Sequence, residues 1–482
     1  MKVMIKKLIL QLFVFSLLGT MIFAEEEKNN GVVLTVDQAV DYALKNSNSI
    51  KSADIDLAVK ERAGKYGWNI LLPSVNATAT MNRSSKDTVK STVEGQTAIF
   101  KKLGYPVPET EITESMHWAG IIGASLDWTF SLAHIEKIKI AKANYEVGKL
   151  SYDKSQREIK VNIQKLFYGL LLQQENLKLQ KASLENSRQR YIQAETNYKN
   201  GAVPEIRLLQ AQVAYQNMKP SVSKLEKEFM ASIDTFAFLI GYPVGTEIIL
   251  SGSINPEYIE ADYDKLMNLY SSYNLDLQNL DKNIEIAKMG LTAANLGTYV
   301  PSLMVKYSFS PMLTNFLDAD KGGYPSGGDW KDNGSFSLTL AWNLTNLLPF
   351  STNRQQAADT KATVQKLEIN RNSLLENQKI NVRKAVNTLV DAREQIDVMS
   401  RNIGLAQRSY EMTARSYRNG TTELLDLRDA EDQLNQAKLG LANQKFNYIS
   451  ALLDLETELN VEFKKISDDA ETYETVNENK GE

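Results

Sequence analysis

The segment Tyr198-Lys199-Asn200-Gly201 recurs 219 residues later as Tyr417-Arg418-Asn419-Gly420. Self-similarity at a fixed offset is read before any single element, because it decides what the chain is built from. The flanks keep the offset. Ile163, Leu170, Leu177, Leu184, Tyr191 and Tyr198 stand every seventh residue, and their counterparts are Val382, Leu389, Ile396, Ile403, Tyr410 and Tyr417. A second heptad set, three residues on, reads Leu166, Gln173, Gln180, Ser187 and Ala194 in the first half and Ala385, Ala392, Met399, Ala406 and Thr413 in the second. The apolar stripe of an ordinary amphipathic helix follows 3.6 residues and drifts off a strict heptad. Six heptads in register predict helices supercoiled left-handedly on one another.

These patterns predict long helices from about Ala133 to Lys199 and from about Ser351 to Asn419. Each reverses at an Asn-Gly pair that tolerates positive φ, and each returns as a second helix, to about Ile240 and Leu459. A helix of that length extends roughly 100 Å. Pro220 is expected to interrupt and kink the first return helix.

Ahead of each long helix lie two segments of period-two alternation, the mark of strands. Val75, Ala77, Ala79 and Met81 alternate with Ser74, Asn76, Thr78 and Thr80; the later counterpart sets Leu303, Val305, Tyr307 and Phe309 against Ser302, Met304, Lys306 and Ser308. The second member of each pair places Trp118, Gly120, Ile122, Ala124, Leu126 and Trp128, or Phe336, Leu338, Leu340, Trp342 and Leu344, on one face. About ten residues suffice for a tilted strand to cross a bilayer with an apolar outside and a polar lumen. Trp68, Trp118, Trp128, Trp330 and Trp342 all lie in or near this part, as interfacial aromatics would. A soluble sandwich alternates in the same way, but helices of this length leave it no second sheet to pack on. The connections within the pairs, roughly Arg83 to Glu114 and Pro311 to Asn333, read as long polar loops.

Lys2, Lys6 and Lys7, an apolar run from Leu8 to Phe23, and Ala24 before Glu25-Glu26-Glu27 read as a secretory signal peptide; an uncleaved anchor is the alternative, for which the run is short. The net charge of -4 implies no nucleic-acid partner. With no cysteine and two histidines, His117 and His134, thiolate chemistry, disulfides and zinc sites of several Cys or His are excluded. Neither a metal site nor a cofactor is expected, the 13 Met form no relay pattern, and both histidines read as surface or interface residues. An open sheet edge in hydrocarbon leaves backbone groups unsatisfied, so four strands must close with those of other copies, in a number that physics alone does not choose.

The opening Leu34-Thr35-Val36-Asp37-Gln38-Ala39-Val40 with Ala43-Leu44 and Asn46, the Leu71-Leu72-Pro73 strand entry, and Tyr417-x-x-Gly420 followed by Leu425-Asp426-Leu427-x-Asp429-Ala430 resemble, in their order and duplication, the outer-membrane efflux (TolC-like) family. The resemblance covers almost all of the chain after residue 24. It implies an α+β membrane protein: a homotrimer with a 12-stranded β-barrel, four strands per protomer, held in outer-membrane lipid and continuous with an α-helical coiled-coil barrel in the periplasm. Such a channel is the exit duct of a tripartite efflux or type I secretion system, served by a periplasmic adaptor (membrane fusion) protein and an inner-membrane pump. A periplasmic coiled-coil scaffold or adhesin that never inserts is the competing reading; no catalytic constellation is visible. The expected division is a signal peptide (1–24), a first structural repeat (25–245; strands about 71–82 and 117–130, hairpin about 133–240), a second (246–460; strands about 300–311 and 334–346, hairpin about 351–459), and an acidic, disordered tail (461–482).

The resemblance also assigns roles. Asp426 and Asp429 match inward-pointing aspartates at the periplasmic gate; three residues apart, they share a helix face, although acids near a helix N-terminus also serve its dipole. Tyr417 matches a tyrosine that holds the closed tip by hydrogen bonds, and it equally ends a heptad. The family often has a basic partner near Thr422, which this chain lacks. Gly201, Ala202, Gly420 and Thr421 match the small-residue positions where adaptor tips dock, or are plain turn residues. At the 219 offset, Asp426 and Asp429 correspond to Arg207 and Gln210, so only the second hairpin carries the acids.

Overall fold

This computed structural model describes residues 31–106, 111–314, 330–331 and 333–462. The expected signal peptide, most of the second inter-strand connection and the tail from residue 463 lie outside them. In chain order, β1 (Val32–Leu34), α1 (Val36–Asn46) and α2 (Asn48–Tyr66) lead to β2 (Ser74–Arg83), α3 (Lys86–Lys102) and β3 (Trp118–Phe130). The first hairpin follows, α4 (Ala133–Lys199) and α5 (Glu205–Ile240), and then β4 (Ile248–Leu250). The second half runs α6 (Tyr263–Tyr270), α7 (Leu275–Tyr299), β5 (Ser302–Phe309), β6 (Met312–Thr314), β7 (Trp330–Lys331), β8 (Gly334–Ala341), α8 (Thr352–Arg418) and α9 (Leu424–Leu459).

The helix starts are written locally. Thr35 and Gln38 form a capping box on α1, and the side chains of Ser47, Asn274 and Ser351 accept backbone N–H bonds at the starts of α2, α7 and α8; such caps contribute about 1 kcal/mol each. α4 and α8 are 67 residues each and α5 and α9 36 each. Two shorter helices cover each long one in succession: α2 then α5 on α4, and α7 then α9 between α4 and α8. Ion pairs from Lys154 to Asp276 and from Lys165 to Asp454 mark where α4 passes from α7 to α9.

Two cores sit at mid-height. In the first, Phe167, Leu170 and Leu171 of α4 meet Phe236, Ala237 and Ile240 of α5, Ala39, Val40 and Ala43 of α1, and the parallel pair β1–β4. In the second, Val382, Val386 and Leu389 of α8 pack on Tyr448, Leu452, Leu455 and Leu459 of α9 with Leu266 and Tyr270 of α6. The heptad residues nearest these cores, Ile163, Leu170, Leu177, Val382, Leu389 and Ile396, are buried, whereas Tyr191, Ile403 and Tyr410 are half-buried and Tyr198 is exposed. Burial within one protomer thins toward the hairpin tips.

Several expectations are corrected. Pro220 lies inside α5 without interrupting it, since its missing N–H costs one helical bond and the flanking turns continue. The strand expected at 300–311 stops at Phe309 and resumes as β6 beyond Pro311, which cannot donate to the ladder. β8 ends at Ala341, because the Asn343 side chain accepts the Thr345 N–H and opens a 3-10 turn, so Trp342 and Leu344 fall beyond it. Leu71 belongs to a 3-10 turn before β2. The first connection contains α3, started by the Ser85 hydroxyl and carrying three lysines near its ends, Lys86, Lys101 and Lys102. His117 is buried, its Nδ1 2.9 Å from the Ser84 carbonyl oxygen. Of the expected tail, Val461 is buried in the second core and Glu462 pairs with Lys160 at 2.6 Å.

Candidate functional site

Six strand segments follow four courses. β2 pairs antiparallel with β3; β3 pairs on its other side with β5 and, past the Pro311 break, with β6; these pair in turn with β8 and β7. Directly opposed residues share a face, so the register sorts the side chains. Val75, Ala77, Ala79 and Met81 lie beside Leu126, Ala124, Ile122 and Gly120; Leu126, Trp128 and Phe130 lie beside Tyr307, Val305 and Leu303; and those lie beside Phe336, Leu338 and Leu340. Apart from Arg83 at the end of β2, opposite Trp118, this face is apolar across all four courses and open to its surroundings: Val75 is 71% exposed, Leu340 70% and Phe336 68%.

The opposite face carries Asn76, Thr78, Thr80, Ser125, Asp127, Lys306, Ser308, Ser335, Ser337 and Thr339. The Ser308 and Ser335 hydroxyls bond at 2.7 Å, and the Lys306 ammonium stands 3.7 Å from the Asp127 carboxylate. The outer edges of β2 and β8 pair with no described strand. A large exposed apolar face marks a surface that meets lipid or another chain, and the reversal of polarity between the faces is that of a barrel wall between lipid and water. Among the described residues no helix is long and apolar enough to cross a membrane.

At the far end, the hairpins reverse at Gly201 (φ +70°) and Gly420 (φ +75°). The turns close with the Ala202 N–H donating to the Asn197 carbonyl at 2.8 Å and the Thr421 N–H to that of Ser416 at 3.0 Å. Gly201, Ala202, Gly420 and Thr421 are exposed, as are Asp426 and Asp429; Tyr417 is half-buried. The two tips adjoin, since Arg207 of the first lies 3.8 Å from Glu423 of the second. Asp426 occupies the third position of α9 and accepts the Glu423 N–H at 3.3 Å in a capping box, so it has a local duty besides any at an entrance. Among the described residues, the Tyr417 hydroxyl bonds to no other group.

One constellation escaped sequence reasoning. Glu431 of α9 is buried, 2.5 Å from the guanidinium of Arg190 on α4, and accepts bonds from Asn186 (2.9 Å) and Ser183 (3.3 Å); Asn435 donates to Ser183 at 2.8 Å. Burial, then the Glu431 charge, hold the Tyr410 hydroxyl proton more tightly than usual. The network joins the two hairpins beside a polar cleft of about 260 Å³. Its signal was legible: Glu431 is an acid within the apolar series Leu427, Ala430 and Leu434.

The model of the outer membrane efflux protein family matches residues 39–241 and 298–461. The chain belongs to the outer membrane efflux protein family. The Nodulation protein T of Rhizobium leguminosarum bv. trifolii is 24% identical over 417 residues, 84% of this chain and 82% of that relative. The fold is that of solved outer-membrane channels. The Campylobacter jejuni CmeC channel superposes with a TM-score of 0.70 at 17% identity, over 88% of this chain and 85% of that one. Vibrio cholerae VceC gives 0.66 at 15% identity, over 89% and 96%. The Neisseria gonorrhoeae MtrE channel, in its open state, gives 0.66 at 15% identity, over 88% and 89%. As a family member the chain is an efflux channel protein of the outer membrane, and its helical part occupies the periplasm.

Proposed function

We propose that three copies complete one duct: four strand courses from each close a 12-stranded barrel, and the helices continue it as a tube that receives cargo from an inner-membrane pump through a periplasmic adaptor. The observation that carries this reading is the sheet, apolar on one face but for Arg83 at its end, mainly polar on the other, and with no described strand on either outer edge. A scaffold or adhesin that never inserts would have no use for such a face. The order of events along the chain is a signal peptide (1–24), a first repeat (25–245), a second (246–460) and a tail. Support for the duplication comes from helices of equal length starting 219 residues apart, at Ala133 and Thr352 and again at Glu205 and Leu424.

Asp426 and Asp429 are proposed to line the periplasmic entrance, where threefold symmetry makes each a ring of three carboxylates that favours cations. Tyr417, with a hydroxyl free of partners among the described residues, is available to a neighbouring copy in the closed state. The adjoining tips at Gly201, Ala202, Gly420 and Thr421 offer small side chains on which an adaptor can dock. Single-channel recording in a planar bilayer tests the reading: the wild-type trimer should conduct, and Asp426→Ala and Asp429→Ala should raise conductance or relieve cation block. Correctly assembled trimers without conductance would sink it.

A further inference from the structure

Across β2, β3, β5 and β8 the polar face carries two charges only, Asp127 and Lys306, and they are direct neighbours in the β3–β5 register. Everything around them on those strands is neutral: Ser74 beside Asp127, Ser337 beside Lys306, and Ser125, whose hydroxyl donates to Asp127 at 3.1 Å. The pair is exposed, with Lys306 at 60% and Asp127 at 41%. An exposed pair contributes only about 0–1 kcal/mol to stability, so its main physical effect is on the field in the space it faces.

From this placement we infer that Asp127 and Lys306 form a charge-balanced girdle in the barrel lumen and determine how the duct discriminates between anionic and cationic cargo. The inference rests on the proposed barrel, in which symmetry repeats the pair three times around the lumen, a few residues from the helical end of the sheet. While paired, the six charges sum to zero and the wall is electrically neutral at that level. Removing one partner leaves a ring of three like charges. Rings of side-chain charge set ion preference in channels, and their reach is about 10 Å at 0.1 M salt and about 30 Å at 0.01 M.

The chain has no cysteine, so one engineered thiol reports the local potential. In the full-length protein in intact cells, Ser337→Cys, opposite Lys306, is reacted with membrane-impermeant thiosulfonates bearing either a trimethylammonium or a sulfonate group, in low salt. Lys306→Met in this background is expected to raise the cationic-to-anionic rate ratio by about 2–5-fold, and Asp127→Asn to lower it by a similar factor. The double variant and Lys306→Arg should both return the parental ratio; Lys306→Gln replaces Lys306→Met if the latter fails to assemble. Ratios that stay at the parental value, or move in one direction for both single variants, overturn the girdle alone. Leu338→Cys on the apolar face separates the two claims: if it reacts as fast as Ser337→Cys, the barrel's orientation falls and the girdle with it.

Discussion

Removing the Glu431 carboxylate would leave Arg190, 14% exposed in the seam between hairpins, with its charge uncompensated. Breaking one partner of a buried pair costs about 3–5 kcal/mol, whereas replacing both by apolar groups is often neutral. Glu431→Ala should therefore shift guanidinium unfolding of the helical signal by about 3 kcal/mol, and Arg190→Leu with Glu431→Leu by much less. Equal losses in the two variants would show that the pair is not the source. Glu458 makes a different prediction. Burial raises its carboxyl pKa above the ordinary range, against the lowering effect of an Asn381 bond, and the charges of Asp276 and Asp454 add to the rise. The folded state thus binds this proton more tightly than the unfolded one, so its stabilising effect is complete below the unfolded pKa and is lost as pH rises through the folded value. Glu458→Gln keeps the acceptor for Asn381 and should melt increasingly above wild type as pH rises from the ordinary carboxylate range; a constant gap would contradict the assignment. At this scale the sequence was only partly readable. Asp426 and Asp429 could be picked out by their motif, and Glu431 stood out as an acid in an apolar series, but its partners Ser183, Asn186 and Arg190 lie more than 240 positions away, and a one-dimensional pattern does not pair residues so far apart.

The helical elements and the strands were legible to different degrees for a physical reason. A heptad kept over six repeats fixes both helix and partner face, so Ile163, Leu170, Val382 and Leu389 could be assigned to a seam before any coordinates. Strands of 8 to 13 residues offer few alternations, and their ends are set by single groups such as Pro311 and the Asn343 side chain, which is where expectation and structure differ. α3 was missed because its lysines and threonines read as loop, while the Ser85 cap that starts it is one residue. Among the turns, Gly241 is the least replaceable. It ends α5 at φ +99°, and a Cβ there would lie 2.7 Å from the Asn46 carbonyl oxygen. Gly420 holds φ +75° with nothing within 4 Å of a would-be Cβ. Gly420→Ala should cost about 1–2 kcal/mol from backbone strain alone, and Gly241→Ala more, because backbone must shift as well; thermal melting of the two variants ranks them, and the reverse order would refute the close approach.

At the scale of the whole molecule, each protomer is unfinished along two edges. If β2 of one copy pairs with β8 of the next, a cysteine at Asn76 combined with a cysteine scan along Gly334–Ala341 should cross-link under mild oxidation at one or two positions, with covalent trimer as the largest species on a denaturing gel. A tetramer band would rule out the number three, and the absence of any cross-link along the scan would rule out the pairing. Two open edges also have a genetic meaning. The proposed ring has no place to set aside a bad subunit, so a copy that inserts but pairs poorly on one side would spoil every assembly it joins. Expressed in equal amounts with the wild type, such a copy should leave about one eighth of trimers intact if subunits mix at random, making a strand-edge lesion in this chain dominant where a null allele would be recessive.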